Sequence, residues 1–276
     1  MQTLAKNNSG FTIIELLMAM TTGIIVLAGI YAAFDSQQKI YTKEQQVTDA
    51  VQNVRGAVHF MVREIRLAGM DVTGTAGAGF LIAGPHSIQF TLDRDDGGGG
   101  DPDGDVADAD EDITYSFSAA VDTNANGIAD PGATSLTLTR TAFDAGLGAF
   151  TDDRLAEDIY AVGFAYAFDS DGDGEVDFED SDGDSELDAG EEIWAYDSDA
   201  DGNLDTDNYT GLALASVVSL DEIRAVRVWI LARTRHPLRG PSGPKSFIVG
   251  DKPITVNDNF KYRLLTTTVK CRNMGI

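Results

Sequence analysis

Residues 169–180 read D-S-D-G-D-G-E-V-D-F-E-D, with acidic side chains at the first, third, fifth, ninth and twelfth places and glycine at the sixth. That spacing converges hard oxygen ligands on one point, as a calcium-binding loop does. Asp169, Asp171 and Asp173 would lead, Gly174 would make the sharp turn, and Glu175 would offer its backbone carbonyl. Val176 would pin the loop to the core, and Asp177 and Asp180 would close the ligand set. A second loop sharing Asp180 runs through Asp182, Asp184, Asp188 and Glu191, with Ser185 where glycine is preferred. A third gathers Asp197, Asp199, Asp201 and Asp205 around Gly202 and ends on Asn208. Asp122, Asn124, Asn126 and Asp130, turning at Gly127, form a fourth and less charged candidate. Residues 93–105 share the composition without a clean register.

Acidic runs are commonly solvated and nothing more. Carboxylates held within ~5 Å of one another repel, however, unless a divalent cation neutralises them. The expected ligand is therefore Ca²⁺, which would order the fold around it. Obvious flanking helices are missing, so this use of D-x-D-x-D-G resembles thrombospondin-type or dockerin-type loops more than a paired EF-hand sensor.

The charge is local. Of a formal net −25, residues 93–112 hold ten acidic residues against Arg94 alone, and residues 169–207 hold eighteen without a Lys or Arg. The remainder is close to neutral, and so acidic a chain lacks the basic surface that nucleic-acid binding needs. The motifs G-x-S-x-G, H-E-x-x-H, the P-loop and the dinucleotide fingerprint do not occur. A glycosidase carboxylate pair is conceivable among so many acids, but calcium spacing accounts for them better. No enzyme activity and no small-molecule substrate are expected. His59, His86 and His236 are isolated, and Cys271 is the only cysteine, so no intramolecular disulfide forms.

Period-two patterns supply the strands that would carry these loops. Ile88, Phe90 and Leu92 alternate, as do Ile113, Tyr115 and Phe117, Leu136 and Leu138, and Val226, Val228 and Ile230. Residues 160–168 form a small and aromatic run, and residues 262–269 a last strand. Six strands with hairpin-length or longer loops predict an antiparallel sheet. Ahead of them, no proline or turn cluster interrupts residues 11–67, and Val47, Val51, Val54, Val58, Met61 and Ile65 recur at spacings of 4 and 3. That is one apolar helical stripe, with Gly69 as its stop. The fold class is α+β, a long helix packed on an antiparallel sheet.

The helix begins in a span unlike the rest. Residues 16–34 carry no charge and, as a helix, would cover about 28 Å, close to the hydrocarbon thickness of a bilayer. No A-x-A cleavage site follows them before the polar stretch Asp35–Gln38, which disfavours an ordinary secretory signal and leaves a plain signal anchor as the alternative. Glu15 speaks against that alternative, because a carboxylate in such a span is costly without a partner. Were the chain cut after Gly10, Phe11 would gain a free amine able to pair with Glu15 of an adjacent copy.

The string G-F-T-I-I-E-L-L-M-A-M, residues 10–20, resembles the cleavage and methylation motif of type IV prepilins and type II secretion pseudopilins. Residues 54–70, VRGAVHFMVREIRLAGM, are similar to minor pilins of the PilW type and to J-type pseudopilins, and the closing YRLLTTTVKCRN resembles the last strand of PilW-type proteins. The resemblance implies removal of residues 1–10 as a leader by a prepilin peptidase, N-methylation of Phe11, and assembly with other pilin or pseudopilin subunits. It further implies a transmembrane and fibre-core helix over 11–34, an amphipathic continuation over 35–70, and a β-rich head over 71–276. The chain would sit in the inner membrane with its head in the periplasm before joining a pilus. A secretion pseudopilus and a calcium-dependent surface adhesin on a pilin anchor are the alternatives.

Overall fold

The computed structural model describes residues 11–96, 100–133, 135–144, 147–179, 191–238 and 243–275. Helix α1 spans Ile13–Ile65. The chain divides into two compact units, one ending at Gln46 and the other running Val47–Ile276.

In the first unit, the apolar side chains of residues 11–34 are exposed, among them Phe11, Ile14, Leu17, Ile24, Leu27 and Phe34. In the second, the helix buries Ala50, Val54, Ala57, Met61 and Ile65. The expected stripe is present, but its buried rungs include two alanines, while Val47, Val51 and Val58 are only partly covered. Small side chains let the helix backbone approach the sheet closely.

Thirteen strands are described rather than six. Strands β1 (Phe80–Ala83), β2 (Ile88–Thr91), β3 (Asp112–Phe117), β4 (Leu138–Asp144) and β5 (Ala149–Ala156) make one sheet in sequence order. Strands β6 (Ile159–Phe168), β7 (Ala195–Tyr196), β8 (Asn203–Asp207), β9 (Ala213–Ser219) and β10 (Ile223–Arg233) follow. The hairpin β11 (Lys245–Val249) and β12 (Lys252–Val256) stands apart, and β13 (Tyr262–Lys270) closes the chain. The second sheet has the order β13-β10-β6-β7-β8-β9, and all pairings between named strands are antiparallel. The single sheet expected from the sequence is thus two sheets and a hairpin.

The core explains why residues 160–168 do not alternate. Val162, Phe164, Tyr166 and Phe168 of β6 join Met61 and Ile65 of α1 and Phe90 and Ile113 of the first sheet in the main core. Ala161, Ala165 and Ala167 face a second cluster containing Val249, Ile254 and Val256 of the hairpin. A strand buried on both faces reads as a continuous apolar run. Gly163 lies at a close approach, where a Cβ would stand 3.0 Å from the Gly250 nitrogen.

One polar network ties the helix to the first sheet. The Arg140 guanidinium donates to both carboxylate oxygens of Glu64, at 3.1 and 3.0 Å, and to Asp110 at 2.7 Å. The Tyr115 hydroxyl also donates to Glu64, and burial, reinforced by that carboxylate, pushes this phenol well above the usual tyrosine value. Removing one member of a buried charge network leaves the others uncompensated. Glu64→Ala should therefore lower the unfolding free energy by about 3 kcal/mol, and Tyr115→Phe by about 1 kcal/mol. Urea melts of the purified chain would measure both, and a Glu64→Ala loss within error of zero would remove the network from the account of stability.

Candidate functional site

Two regions carry the chemistry, and each is built from local rules. At the helix start, the Thr12 amide and hydroxyl donate to Glu15 Oε2 at 2.9 and 2.8 Å, while the Glu15 amide donates back to Thr12 Oγ1 at 3.3 Å. This is a reciprocal capping box, and T-x-x-E was legible for it in the sequence although the apolar span drew attention away. Farther along, the Thr21 and Thr22 hydroxyls donate to the carbonyls of Leu17 and Met18, which hides their polarity within the helix. Among the described residues, α1 is the one helix long and apolar enough to cross a membrane. Gly10 lies outside the described residues.

The acidic loops share one pattern of hydrogen bonds. In the first, buried Asp169 accepts from the amides of Gly172 and Gly174 at 2.7 and 3.1 Å, Asp171 accepts from Asp173 at 3.1 Å, and Asp173 accepts from Glu175 at 2.8 Å. Asp177 takes the amide and hydroxyl of Ser170 and sends its own amide back to the Phe168 carbonyl at 2.7 Å. The third loop, the turn between β7 and β8, repeats this. Asp197 accepts from Ala200 and Gly202 at 2.7 and 3.0 Å, Asp199 from Asp201 at 3.2 Å, and Asp201 from Asn203 at 2.9 Å. Asp205 accepts from the Ser198 amide and hydroxyl at 3.1 and 2.9 Å. The fourth loop follows suit, with Asp122 holding the amides of Asn126 and Gly127, Asn124 and Asn126 bonded two residues onward, and Asp130 on the Thr123 amide and hydroxyl.

Two features of this pattern were not foreseen. The second residue of each loop is a hydroxyl, Ser170, Ser198 or Thr123, that anchors the ninth-place acid. The fourth residue adopts a left-handed conformation, at φ 77° for Gly172, 61° for Ala200 and 54° for Ala125. The sixth-place glycines behave as expected, with φ of 91°, 87° and 75° at Gly174, Gly202 and Gly127.

One carboxylate oxygen from each of Asp169, Asp171 and Asp177 lies within 4.8 Å of the others, and the same holds for Asp197, Asp199 and Asp205. Two ligands on a shared Ca²⁺, each at 2.3–2.6 Å, stand at most about 5 Å apart, so both groups fit that ion. The donors are all oxygen, which suits a hard cation. Asp173 and Asp201 stand outside these triads, each holding the seventh-place amide instead. Burial alone would raise the Asp169 carboxyl, but the Gly172 and Gly174 amides, with Arg224 at 3.4 Å, outweigh it and hold it below the usual carboxylate value. Arg224 thus shares the first loop's leading acid, whereas no Lys or Arg among the described residues lies within ion-pair distance of Asp197. In the fourth loop, the Lys252 ammonium donates to the Asn126 carbonyl at 2.8 Å. Asp180, Asp182, Asp184 and Asp188 lie outside the described residues; Glu191, at the end of that loop, accepts the Glu179 amide on its carbonyl at 2.8 Å. Asn208, in the twelfth place of the third loop, is buried, and its amide atoms have no hydrogen-bond partner among the described residues.

Comparison with known proteins adds three findings. The family model PilW, described as type IV pilus-assembly protein W, matches residues 120–273, more than half of the chain. No curated protein matches the sequence. Among solved structures, a type IV-like pilin from Thermus thermophilus is similar at 14% identity and a TM-score of 0.46, over 82% of this chain and 98% of that one.

The shared loop conformation is testable without any metal. An L-residue in the left-handed region is strained by roughly 1 kcal/mol relative to glycine. Ala200→Gly should raise stability by about 0.5–1 kcal/mol in chelator, and Gly202→Ala should lower it by at least as much, as read from melting midpoints. Equal midpoints for the two variants would contradict the turn geometry.

Proposed function

This chain belongs to the PilW family of type IV pilus-assembly proteins, and from that premise we propose that it serves as a minor pilin which helps to initiate or cap a type IV pilus. The observation that carries the reading is the exposed apolar half of α1, which no described residue of its own unit covers. Before assembly, residues 11–34 lie in the inner membrane and hold the head in the periplasm. After assembly, the same side chains pack against other pilin subunits in a fibre core. A prepilin peptidase removes residues 1–10, cutting after Gly10, and Phe11 is N-methylated. The amine so exposed meets Glu15 of an adjacent copy. The role is structural rather than catalytic. The family's description favours a pilus over a secretion pseudopilus.

The head is stabilised by Ca²⁺ at Asp169, Asp171 and Asp177 and at Asp197, Asp199 and Asp205, with Asp122, Asn124, Asn126 and Asp130 as a weaker site. Asp180, Asp182, Asp184, Asp188 and Glu191 form a second loop that shares Asp180 with the first. When bound, the ion neutralises carboxylates that otherwise repel, and the surrounding amides and hydroxyls hold those carboxylates in place. A ligand that binds the folded state at a hundredfold its Kd adds about 2.7 kcal/mol to stability.

Three outcomes test this function. The mature protein recovered from cells should begin at a methylated Phe11 by peptide mass, and Gly10→Glu should retain its leader in cells carrying the peptidase. Glu15→Val should still insert in the membrane but be lost from sheared fibres, as blots of the two fractions would show; wild-type incorporation would refute the pairing. Chelation should lower the melting midpoint of the detergent-solubilised chain by about 5–10 °C, reversed by added Ca²⁺. An unmoved midpoint would remove calcium from the head.

A further inference from the structure

The sequence gives no loop register between residues 93 and 105, yet the structure assembles one there from two separate stretches. One carboxylate oxygen from each of Asp103, Asp105 and Asp108 lies within 4.8 Å of the others. Acidic clusters alone mean little, but a fourth carboxylate, that of Asp93, is hydrogen-bonded to the backbone within this one. Asp93 is fully buried, and its Oδ2 accepts the Gly104 amide at 3.1 Å, at the residue between Asp103 and Asp105. Its other oxygen, Oδ1, is buried and has no hydrogen-bond partner among the described residues. A buried carboxylate oxygen without a donor is costly unless a cation faces it.

We propose that Asp93, Asp103, Asp105 and Asp108 form a further binding site for a hard divalent cation of the calcium class, with Asp93 supplying from a distant stretch the leading carboxylate that the other loops carry in line. The correspondence runs through the backbone. Gly104 donates to Asp93 as Gly172 donates to Asp169 and Ala200 to Asp197, and it shares their left-handed conformation at φ 92°. Asp103 accepts the Asp105 amide at 3.2 Å, and Asp105 accepts the Ala107 amide at 2.9 Å, as the third- and fifth-place acids do elsewhere. The site departs from the pattern at Val106, where the other loops have glycine, and at Asp108, which stands one place early.

The surroundings supply no alternative counter-charge. Arg94 pairs with Asp95 at 3.0 Å, and no Lys or Arg among the described residues reaches any of the four acids. Glu111, fully buried, ties the two stretches together. Its Oε1 accepts the amides of Arg94 and Asp95 at 2.7 and 3.1 Å, and its Oε2 accepts that of Asp108 at 3.3 Å. Asp110 and Asp112 are engaged elsewhere, by Arg140 and Gln89.

The proposal shares with the in-line loops only their chemistry, and native mass spectrometry of the full chain in detergent, stripped with chelator and titrated with Ca²⁺, separates the two. Asp93→Asn and exposed Asp105→Asn should each lower the maximal ion count by one, and the double variant should still lose only one. Asp93→Asn combined with Asp169→Asn should lose two. Far-UV circular dichroism in chelator checks that each variant folds, and Asp105→Asn alone decides the matter should Asp93→Asn fail to fold. Asp105→Asn with the wild-type count overturns this site while leaving the in-line loops standing if Asp169→Asn loses an ion. Loss from Asp105→Asn with none from Asp169→Asn or Asp197→Asn supports this site and overturns the loops. A wild-type chain that binds no Ca²⁺ overturns both.

Discussion

The apolar surface of residues 11–34 is the constraint on which the rest depends. At about 25 cal/mol per Å², side chains such as Ile14, Leu17, Ile24, Leu27 and Phe34 each represent about 1.5–3 kcal/mol that exposure to water forfeits. The described residues of their own unit offer nothing to cover them, so lipid or other copies of such a helix must. A chain built this way is stable only as part of something larger, and its family's task of pilus assembly supplies that larger body. The buried stripe from Ala50 to Ile65 solves the opposite problem, since there the partner surface is the protein's own sheets.

Negative charge is the second constraint, and the fold handles it by repetition. Three loops hold the leading acid on amides of the fourth or fifth residue and of the sixth, and anchor the ninth-place acid on the hydroxyl at the second. Every oxygen engaged this way still has lone pairs to spare, so the amides orient the carboxylates without exhausting them. The loops spring from β6, β7 and the β3–β4 connection, all fixed by deeply buried neighbours such as Phe168, Tyr196 and Val121. Preorganisation of this kind lowers the ordering cost that an arriving ion would otherwise meet.

Much of this was legible in the sequence, and the misses have physical reasons. The helix stripe was readable from its valines, but Ala50 and Ala57 are among its buried positions, and alanine weighs little in an apolar pattern. Strands β2, β3, β6, β10 and β13 were found where large apolar residues alternate or run on. Strand β4 was read from Leu136 and Leu138, whereas it starts at Leu138. Strand β5 escaped because A-F-T-D-D-R-L-A is largely exposed, and β7 because two residues make no period. The calcium-like loops were visible from D-x-D-x-D-G, whereas the Asp93 cluster was not, since its leading acid sits ten residues away from the next rather than two. Arg140 and Glu64 lie 76 residues apart, and no local pattern links them.

The capping box alters the energetics of Glu15. From sequence, its carboxylate looks like a stranded charge whose relief must come from a neighbouring amine. In the folded helix, both Thr12 donors converge on one oxygen, Oε2, and the box is worth about 1 kcal/mol to the helix start. The charge is therefore oriented rather than neutralised, and Oε1 remains open to an ammonium. A charge-assisted bond is roughly twice as strong as a neutral one and gains further where water is excluded. An amine arriving from the next subunit would consequently add to the cap instead of competing with it. Thr12 then acts as a positioning residue for the proposed pairing. It fixes where the carboxylate points before any partner is present, so that assembly does not have to bear the entropy of arranging it.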